Sequence, residues 1–484
     1  MSVNMPPRLL LASLALACAS TASAGQSLEQ IRYALYKDPS AEVTTDLREL
    51  AARGDLASTL LLGDVLAGRD DASRAEVVAL YRKAFADGHG LVPALASLAR
   101  LIDRTPSLRQ AQKPWMAQAL TRYPANLDPR NTSTTLEVFI TYPELVDTAE
   151  AAQLLALYEQ ACLLNCRPEL YHAVLAERQG DRAEAERWYR QAVRVDVRAL
   201  DRYYAFLGEQ QDRLFTAFAD QLEPEREQLP VEIIHRIGAL LDTITSVQRA
   251  EIDADRYEQQ ASVQPGAEKL PPSPEQVARE QAQNQALDLA TARVQRWRDV
   301  AVARGFVPAM VSKVNYMISN PTEHNAEETQ AMIDQVRQRE PVRAKALQAQ
   351  FYMVNNWLTL DPDKARALIE ELRAGGYPGA GLLLGEYYSK GVEDQPDQDK
   401  ALALFQAEAD KGNTAAWYRM ATLHAYGRAL CHDPVKAYTY ARVALDLGER
   451  SARSLVRRLE KTLPKDDIER ALAARNGLFK EATL

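Results

Sequence analysis

Four cysteines and six histidines are the side chains best suited to metal binding or nucleophilic catalysis in this chain of 484 residues. Cys431 and His432 are adjacent, but no second pair of such residues follows at the spacing of a zinc site. The chain also lacks a glycine-rich phosphate loop and the H-E-x-x-H and G-x-S-x-G motifs. The sequence therefore predicts a protein that is not an enzyme and holds no metal or cofactor.

Two of the cysteines, Cys162 and Cys166, lie only four residues apart. In an oxidising compartment two such thiols are candidates for a disulfide bond, although a regular helix holds side chains at this spacing parallel and suits a bridge poorly. Asn165 can adopt a left-handed turn and Pro168 ends helices, so the backbone has the means to curl here. Two interpretations stay open, a disulfide and two small buried thiols.

The first 24 residues have the pattern of an export signal. Arg8 supplies a positive charge, 9–17 form an apolar and small-residue run, and an A-x-A cleavage site ends at Ala24, which leaves Gly25 first. A second interpretation is a bacterial lipobox, in which Cys18 is lipidated and becomes the first residue. Both interpretations place the mature protein in the periplasm, and lipidation would add an outer-membrane anchor.

A basic stripe is predicted near the C-terminus. Its members recur at helical spacing and are Arg450, Arg453, Arg457 and Lys461. The whole chain carries a formal net charge of −8, which argues against a general nucleic-acid binder. The stripe is a candidate binding site for an anionic polymer, lipid head groups or an acidic partner; the alternative is a solubilising face on a capping helix.

The elements that position these residues belong to a repeat of 36 residues. It is visible at three sets of equivalent positions: Gly376, Gly412 and Gly448; Ala380, Ala416 and Ala452; and the pairs Lys364-Ala365, Lys400-Ala401 and Lys436-Ala437. A period of this length is typical of stacked helical hairpins. Such an array offers extended faces for binding other molecules.

The rest of the chain divides by composition. Helical repeats are predicted over 25–247, and 248–274 reads as an exposed loop or linker because it has few large apolar residues and four prolines. The regular repeats are predicted over 275–452. The remaining segment, 453–484, is predicted to form capping helices.

The repeat resembles the Sel1-like subgroup of tetratricopeptide repeats. In one unit Ala380-x-x-Leu-Leu-Gly-Glu-Tyr-Tyr precedes Gly391, and in the next Ala416-Trp-Tyr-Arg-Met-Ala-Thr-Leu precedes Tyr426-Gly427. The strong match covers 363–452, with weaker matches at 54–98 and 183–192. The resemblance implies an all-α superhelical solenoid of TPR/Sel1-like helix-turn-helix repeats.

An exported chain with such repeats along much of its length and an acidic balance is also similar to the tetratricopeptide lipoproteins of bacterial alginate secretion. The resemblance is one of architecture. It implies a periplasmic, outer-membrane-associated scaffold for exopolysaccharide secretion, with an outer-membrane polysaccharide porin and periplasmic polymer-modifying proteins as partners. The alternative is a Sel1-like periplasmic regulator that binds and modulates a cell-envelope enzyme.

Overall fold

The computed structural model describes residues 26–38, 41–68, 74–87, 92–105, 107–122, 129–162, 166–261, 273–426 and 432–482. In these ranges the regular structure is entirely helical, and the predicted all-α repeat solenoid is confirmed. None of the described helices is both long and apolar enough to span a membrane. The predicted export signal over 1–24, with Cys18, lies outside the described residues.

The first half of the chain contributes a series of short helices. They are α1 (Leu28–Lys37), α2 (Thr44–Ala52), α3 (Leu56–Ala67), α4 (Arg74–Asp87), α5 (Val92–Arg104), α6 (Ser107–Arg122), α7 (Pro129–Thr141), α8 (Thr148–Ala161), α9 (Glu169–Gln179), α10 (Arg182–Ala192), α11 (Arg198–Phe206) and α12 (Gln211–Leu222). Short 3₁₀ turns follow α7, α11 and α12, at Pro143–Leu145, Gly208–Gln210 and Glu223–Gln228. Neighbouring helices pack on each other, as a stacked array requires.

Two much longer helices, α13 (Val231–Ala261) and α14 (Pro274–Ala303), pack together in the middle of the chain. The linker predicted over 248–274 is therefore helical as far as Ala261, and 262–272 lie outside the described residues. The segment lacks a wide apolar stripe, but it is rich in good helix formers. A polar contact also joins the two helices, because Arg256 Nη2 donates to Asn284 Oδ1 at 2.8 Å.

The C-terminal part is a regular array of ten helices among the described residues. They are α15 (Val307–Ser319), α16 (Ala326–Arg337), α17 (Pro341–Phe351), α18 (Pro362–Ala374), α19 (Ala380–Lys390), α20 (Gln398–Asp410), α21 (Thr414–Tyr426), α22 (Pro434–Asp446), α23 (Ala452–Thr462) and α24 (Lys465–Ala482). The second helices of four successive hairpins, α16, α18, α20 and α22, start 36 residues apart.

Each of these four helices begins at an equivalent capping residue. The caps are Asn325, Asp361, Asp397 and Asp433, and each side chain accepts a hydrogen bond from a backbone N–H of the first turn. The repeated Lys-Ala pairs begin only at Lys364. The helix start at Asn325 belongs to the same series, because asparagine caps a helix as aspartate does.

Small residues at the repeat positions allow the helices to approach closely. Four equivalent alanines are at most 2% exposed, namely Ala344, Ala380, Ala416 and Ala452. Larger apolar side chains fill the spaces between the layers, so the array builds a series of local clusters along its length.

The solenoid curves far enough for its end to meet its middle. Helix α23 packs alongside α13, although the two lie about 200 residues apart in the sequence, judged from their bounds. Helices α22 and α24, which precede and follow α23 in the chain, also pack on each other. The segment from α13 to α23 thus closes on itself, and α4 and α6 face turns of the regular repeats.

Candidate functional site

A cleft of about 1750 Å³ lies between two parts of the solenoid that are distant in sequence. Residues of α4 and α6 line one wall, and the turns that join α18 to α19 and α20 to α21 line the other. Drug-sized ligands occupy pockets of roughly 300–1,000 Å³. The cleft is therefore wide enough for a segment of polypeptide or polymer.

The wall formed by α4 and α6 presents two arginines that are held in place. Arg82 Nη2 donates to Gln112 Oε1 at 2.6 Å, and the guanidinium lies 5.0 Å from the ring centroid of Trp115. Burial lowers the pKa of Arg82. Arg74 Nη1 donates to the carbonyl oxygen of Ala67 at 3.2 Å. Because these contacts restrict both side chains, little side-chain entropy is lost when a partner binds them.

The opposite wall combines a buried acid with an aromatic side chain. Glu408 is only 7% exposed and accepts hydrogen bonds from Lys411 Nζ at 2.7 Å and from Asn413 Nδ2 at 3.5 Å. Its carboxylate occupies the space beside Gly381, where a Cβ atom would overlap it. Trp417 is 5% exposed and packs on the next layer. This wall is therefore built by packing within the array.

The described side chains that line the cleft include arginines and aromatic residues but neither histidine nor cysteine. The described part of the chain also contains no cluster of three or more acids, histidines or cysteines that could hold a metal. Arginine and aromatic residues are the types most enriched at the energetic centres of protein interfaces. The arrangement favours ionic and aromatic contacts with another macromolecule.

The basic stripe predicted from the sequence lies elsewhere, at the contact between α23 and the middle of the chain. Each of its four cations meets an acid of α11, α12 or α13. The pairs are Arg450–Asp201 at 2.7 Å, Arg453–Asp212 at 3.0 Å, Arg457–Glu251 at 3.7 Å and Lys461–Asp255 at 3.0 Å. The stripe therefore makes ion pairs within the chain, while Arg457 and Lys461 stay 54% and 40% exposed in their side chains. Binding of a partner by the stripe stays a prediction.

The inner end of this contact has additional partners. Arg453 Nη1 donates to Tyr204 Oη, and its guanidinium lies 5.4 Å from the centroid of the same ring. Asp201 also accepts from Arg236 Nε at 3.0 Å, so this carboxylate is shared between α13 and the C-terminal end. The inner pairs are thus fixed by several contacts each.

The cysteine pair lies just beyond the end of α8. Cys162 and Cys166 form a disulfide bond, with Cα atoms 5.8 Å apart. Cys162 follows Ala161, the last residue of the helix, so the bridge begins beyond the helix and avoids the parallel side-chain geometry within it. Cys431 lies outside the described residues.

Sequence reasoning missed the cleft and the acids that meet the basic stripe. Glu251 and Asp255 are four residues apart, the same spacing as Arg457 and Lys461, so each pair lies on one helix face. This match in spacing could be recognised from the sequence alone. The curvature of the solenoid decides which of the many pairs with this spacing come into contact. It also decides which helices face each other across the cleft.

No protein-family model and no curated protein matches the chain. Among solved structures it is similar to a protective antigen of uropathogenic Escherichia coli with an SLR fold, at 15% identity over 92% of this chain and 96% of that one, with a TM-score of 0.25. It is also similar to a Sel1 repeat protein from Oxalobacter formigenes, at 15% identity over 88% and 92%, with a TM-score of 0.24. The repeat architecture rests on the helices themselves.

Proposed function

We propose that this protein is a non-catalytic scaffold of the cell envelope that holds other proteins together during exopolysaccharide (alginate-type) secretion. The observation that supports this most is the cleft between the first hairpins and the regular repeats, because its size and its arginine and aromatic lining suit a protein segment. The proposed partners are an outer-membrane polysaccharide porin and periplasmic polymer-modifying proteins, as the sequence resemblance implies.

The proposed location is the periplasm, in association with the outer membrane. It rests on the export signal over the first 24 residues and on the lipobox interpretation of Cys18. Mass measurement of the mature N-terminus tests the anchor. A diacylated Cys18 supports membrane attachment, whereas a chain that begins at Gly25 is contrary to it.

The scaffold proposal is tested in cells that secrete the polymer. Deletion of the gene is expected to stop export and to displace the outer-membrane porin from its normal position. If export and porin placement stay normal while the activity of one envelope enzyme changes, the protein is a regulator and the scaffold proposal fails.

The role of the cleft is tested with charge reversals on its two walls. Arg74→Glu and Arg373→Glu place one acid on each wall, and both positions line the cleft. Crosslinking in intact cells should recover less of the porin and the modifying proteins. Arg470→Glu is the matched control, since Arg470 is 71% exposed in its side chain and pairs only locally with Asp467. If crosslinking recovers the partner proteins equally with all three variants, the cleft is not the binding site.

A further inference from the structure

We propose that α23 and the acidic residues of α11, α12 and α13 form an ionic clasp, which closes the solenoid and opens when the charges are screened. The clasp consists of the four ion pairs between the basic stripe and Asp201, Asp212, Glu251 and Asp255. This inference does not depend on the proposed function.

The clasp is a long-range contact with matched spacing. Its residues are separated by 206 positions for Lys461 and Asp255 and by 241 positions for Arg453 and Asp212. Arg457 and Lys461 are one helical turn apart on α23, and their partners Glu251 and Asp255 are one turn apart on α13. Two successive turns of each helix therefore meet in register.

Apolar packing holds each side of the contact separately. The buried apolar residues of α23, including Leu455, Val456 and Leu459, belong to the cluster that α20, α21, α22 and α24 share. Those of α13, including Ile244, belong to the central cluster with α9–α12 and α14. No one of these described clusters spans the two helices. The ion pairs are therefore the polar part of a contact in which α13 and α23 also pack directly on each other.

The ion pairs are also weak enough to be reversible. In the outer two pairs every side chain is at least 34% exposed, and exposed pairs contribute little because water screens them. Burial lowers the pKa of Arg450 and of Arg453 and raises the pKa of Asp212, since desolvation disfavours the charged forms. Attraction at the inner pairs is thus offset by the loss of hydration.

Opening of the clasp would alter the cleft. One cleft wall belongs to α4 and α6, and the other belongs to the array that contains α23. Once α23 leaves α13, the array stays attached through α14 and α15, so the two walls can separate. The clasp thereby couples the ionic strength around the protein to the width of the cleft.

Small-angle X-ray scattering of the full mature chain tests the clasp. The Debye length falls from about 10 Å at 0.1 M salt to about 3 Å at 1 M. We expect a larger radius of gyration and maximum dimension at the higher salt concentration. The double variant Arg457→Glu and Lys461→Glu should have these larger dimensions already at the lower one, with unchanged helicity by circular dichroism.

A charge swap separates opening from misfolding. Adding Glu251→Arg and Asp255→Lys to the double variant restores opposite charges and should restore the compact dimensions. Lys436→Glu with Arg470→Glu is the matched control, because it makes the same change in net charge at residues with local partners. The proposal is overturned if the charge-reversed chain remains as compact as the parent, if the swap stays expanded, or if the control expands equally.

Discussion

Single glycines decide how closely two helices of the array approach. At Gly385 of α19 a Cβ atom would overlap the ring of Phe405 on α20. The positions equivalent to Gly385, 36 residues away on either side, hold Ala349 and Ala421. The positions equivalent to Phe405 hold the smaller Ile369 and Ala441. The missing methyl group at Gly385 therefore makes room for the larger ring.

The substitution Gly385→Ala should overpack this contact. We expect the free energy of unfolding to fall by roughly 1–3 kcal/mol, the usual cost of an inserted group in a packed core. Gly477→Ala is the control, because Gly477 lies in α24 with no atom near its Cβ position and should gain about 0.4–1 kcal/mol from the lower entropy of the unfolded chain. Urea denaturation measures both. Equal shifts in the two variants would contradict the packing argument.

A second residue-scale prediction concerns His235 on α13. Burial, with smaller contributions from three nearby arginines, lowers its pKa to about 4. The unfolded chain takes up a proton near pH 6.5, so the unfolded state binds more protons between pH 6.5 and 4. The contribution of His235 to stability is complete above this window and is lost as the pH falls through it.

The variant His235→Gln removes this titration. Its free energy of unfolding should fall less steeply between pH 6.5 and 4 than that of the parent chain, because the remaining slope comes from other groups. Urea midpoints measured across this range give both slopes. Parallel slopes would show that His235 accepts a proton as readily in the folded state as in the unfolded one.

At the scale of the element, the repeated helix start is the most constant feature of the array. The backbone N–H groups of Asp361, Asp397 and Asp433 donate at 2.9–3.0 Å to the carbonyl oxygens of Tyr352, Tyr388 and His424, nine residues earlier in each case. The same aspartates cap the following helix. One residue thus fixes both the loop and the helix start in each unit.

Removal of one cap should cost an amount typical of helix N-caps. In Asp397→Ala the N–H of Lys400 loses the acceptor that lies 3.0 Å away, and the free energy of unfolding should fall by about 0.5–2 kcal/mol. Hydrogen exchange in the first turn of α20 should quicken. Asp397→Asn keeps a capping oxygen and should stay near the parent value; if it loses as much as alanine, charge and not capping is the cause.

The elements were predicted as well as their local signals allowed. Glycines, alanines and Lys-Ala pairs at a constant interval indicated the hairpins because each position has a local role. The unit around Asn325 lies within the predicted repeats of 275–452, but its alignment with the others was missed because it keeps the capping function without the same residue types. The outer half of α13 was predicted as a loop because its stability comes from helix propensity and from α14, neither of which produces an apolar stripe.

At the scale of the whole molecule, curvature decides which surfaces are free. Three members of the basic stripe, Arg453, Arg457 and Lys461, lie on α23, but the acids that pair with them could not be predicted from the sequence. The acids that meet it lie 206 or more residues away. Small rotations between successive hairpins accumulate along a solenoid. Whether its end contacts its middle therefore depends on the rotations of all the hairpins together.

The buried apolar residues form separate clusters along the chain, and this makes stability local. Phe405 is 2% exposed in the C-terminal cluster, and Phe85 is 5% exposed in the first cluster. Either phenylalanine, when changed to alanine, should cost about 3–5 kcal/mol in its own cluster. Since each hairpin packs mainly on its neighbours, the destabilisation should spread only over adjacent units.

Hydrogen exchange followed by mass spectrometry distinguishes local from global effects. Phe405→Ala should speed exchange in α18–α22 and leave α2–α5 unchanged, and Phe85→Ala should do the opposite. The pair forms its own control, because the same substitution is made at two ends of one chain. Faster exchange throughout the chain in both variants would mean that the contact between α13 and α23 joins the clusters into one cooperative unit, and the stability of the closed curve would then have to be treated as a whole.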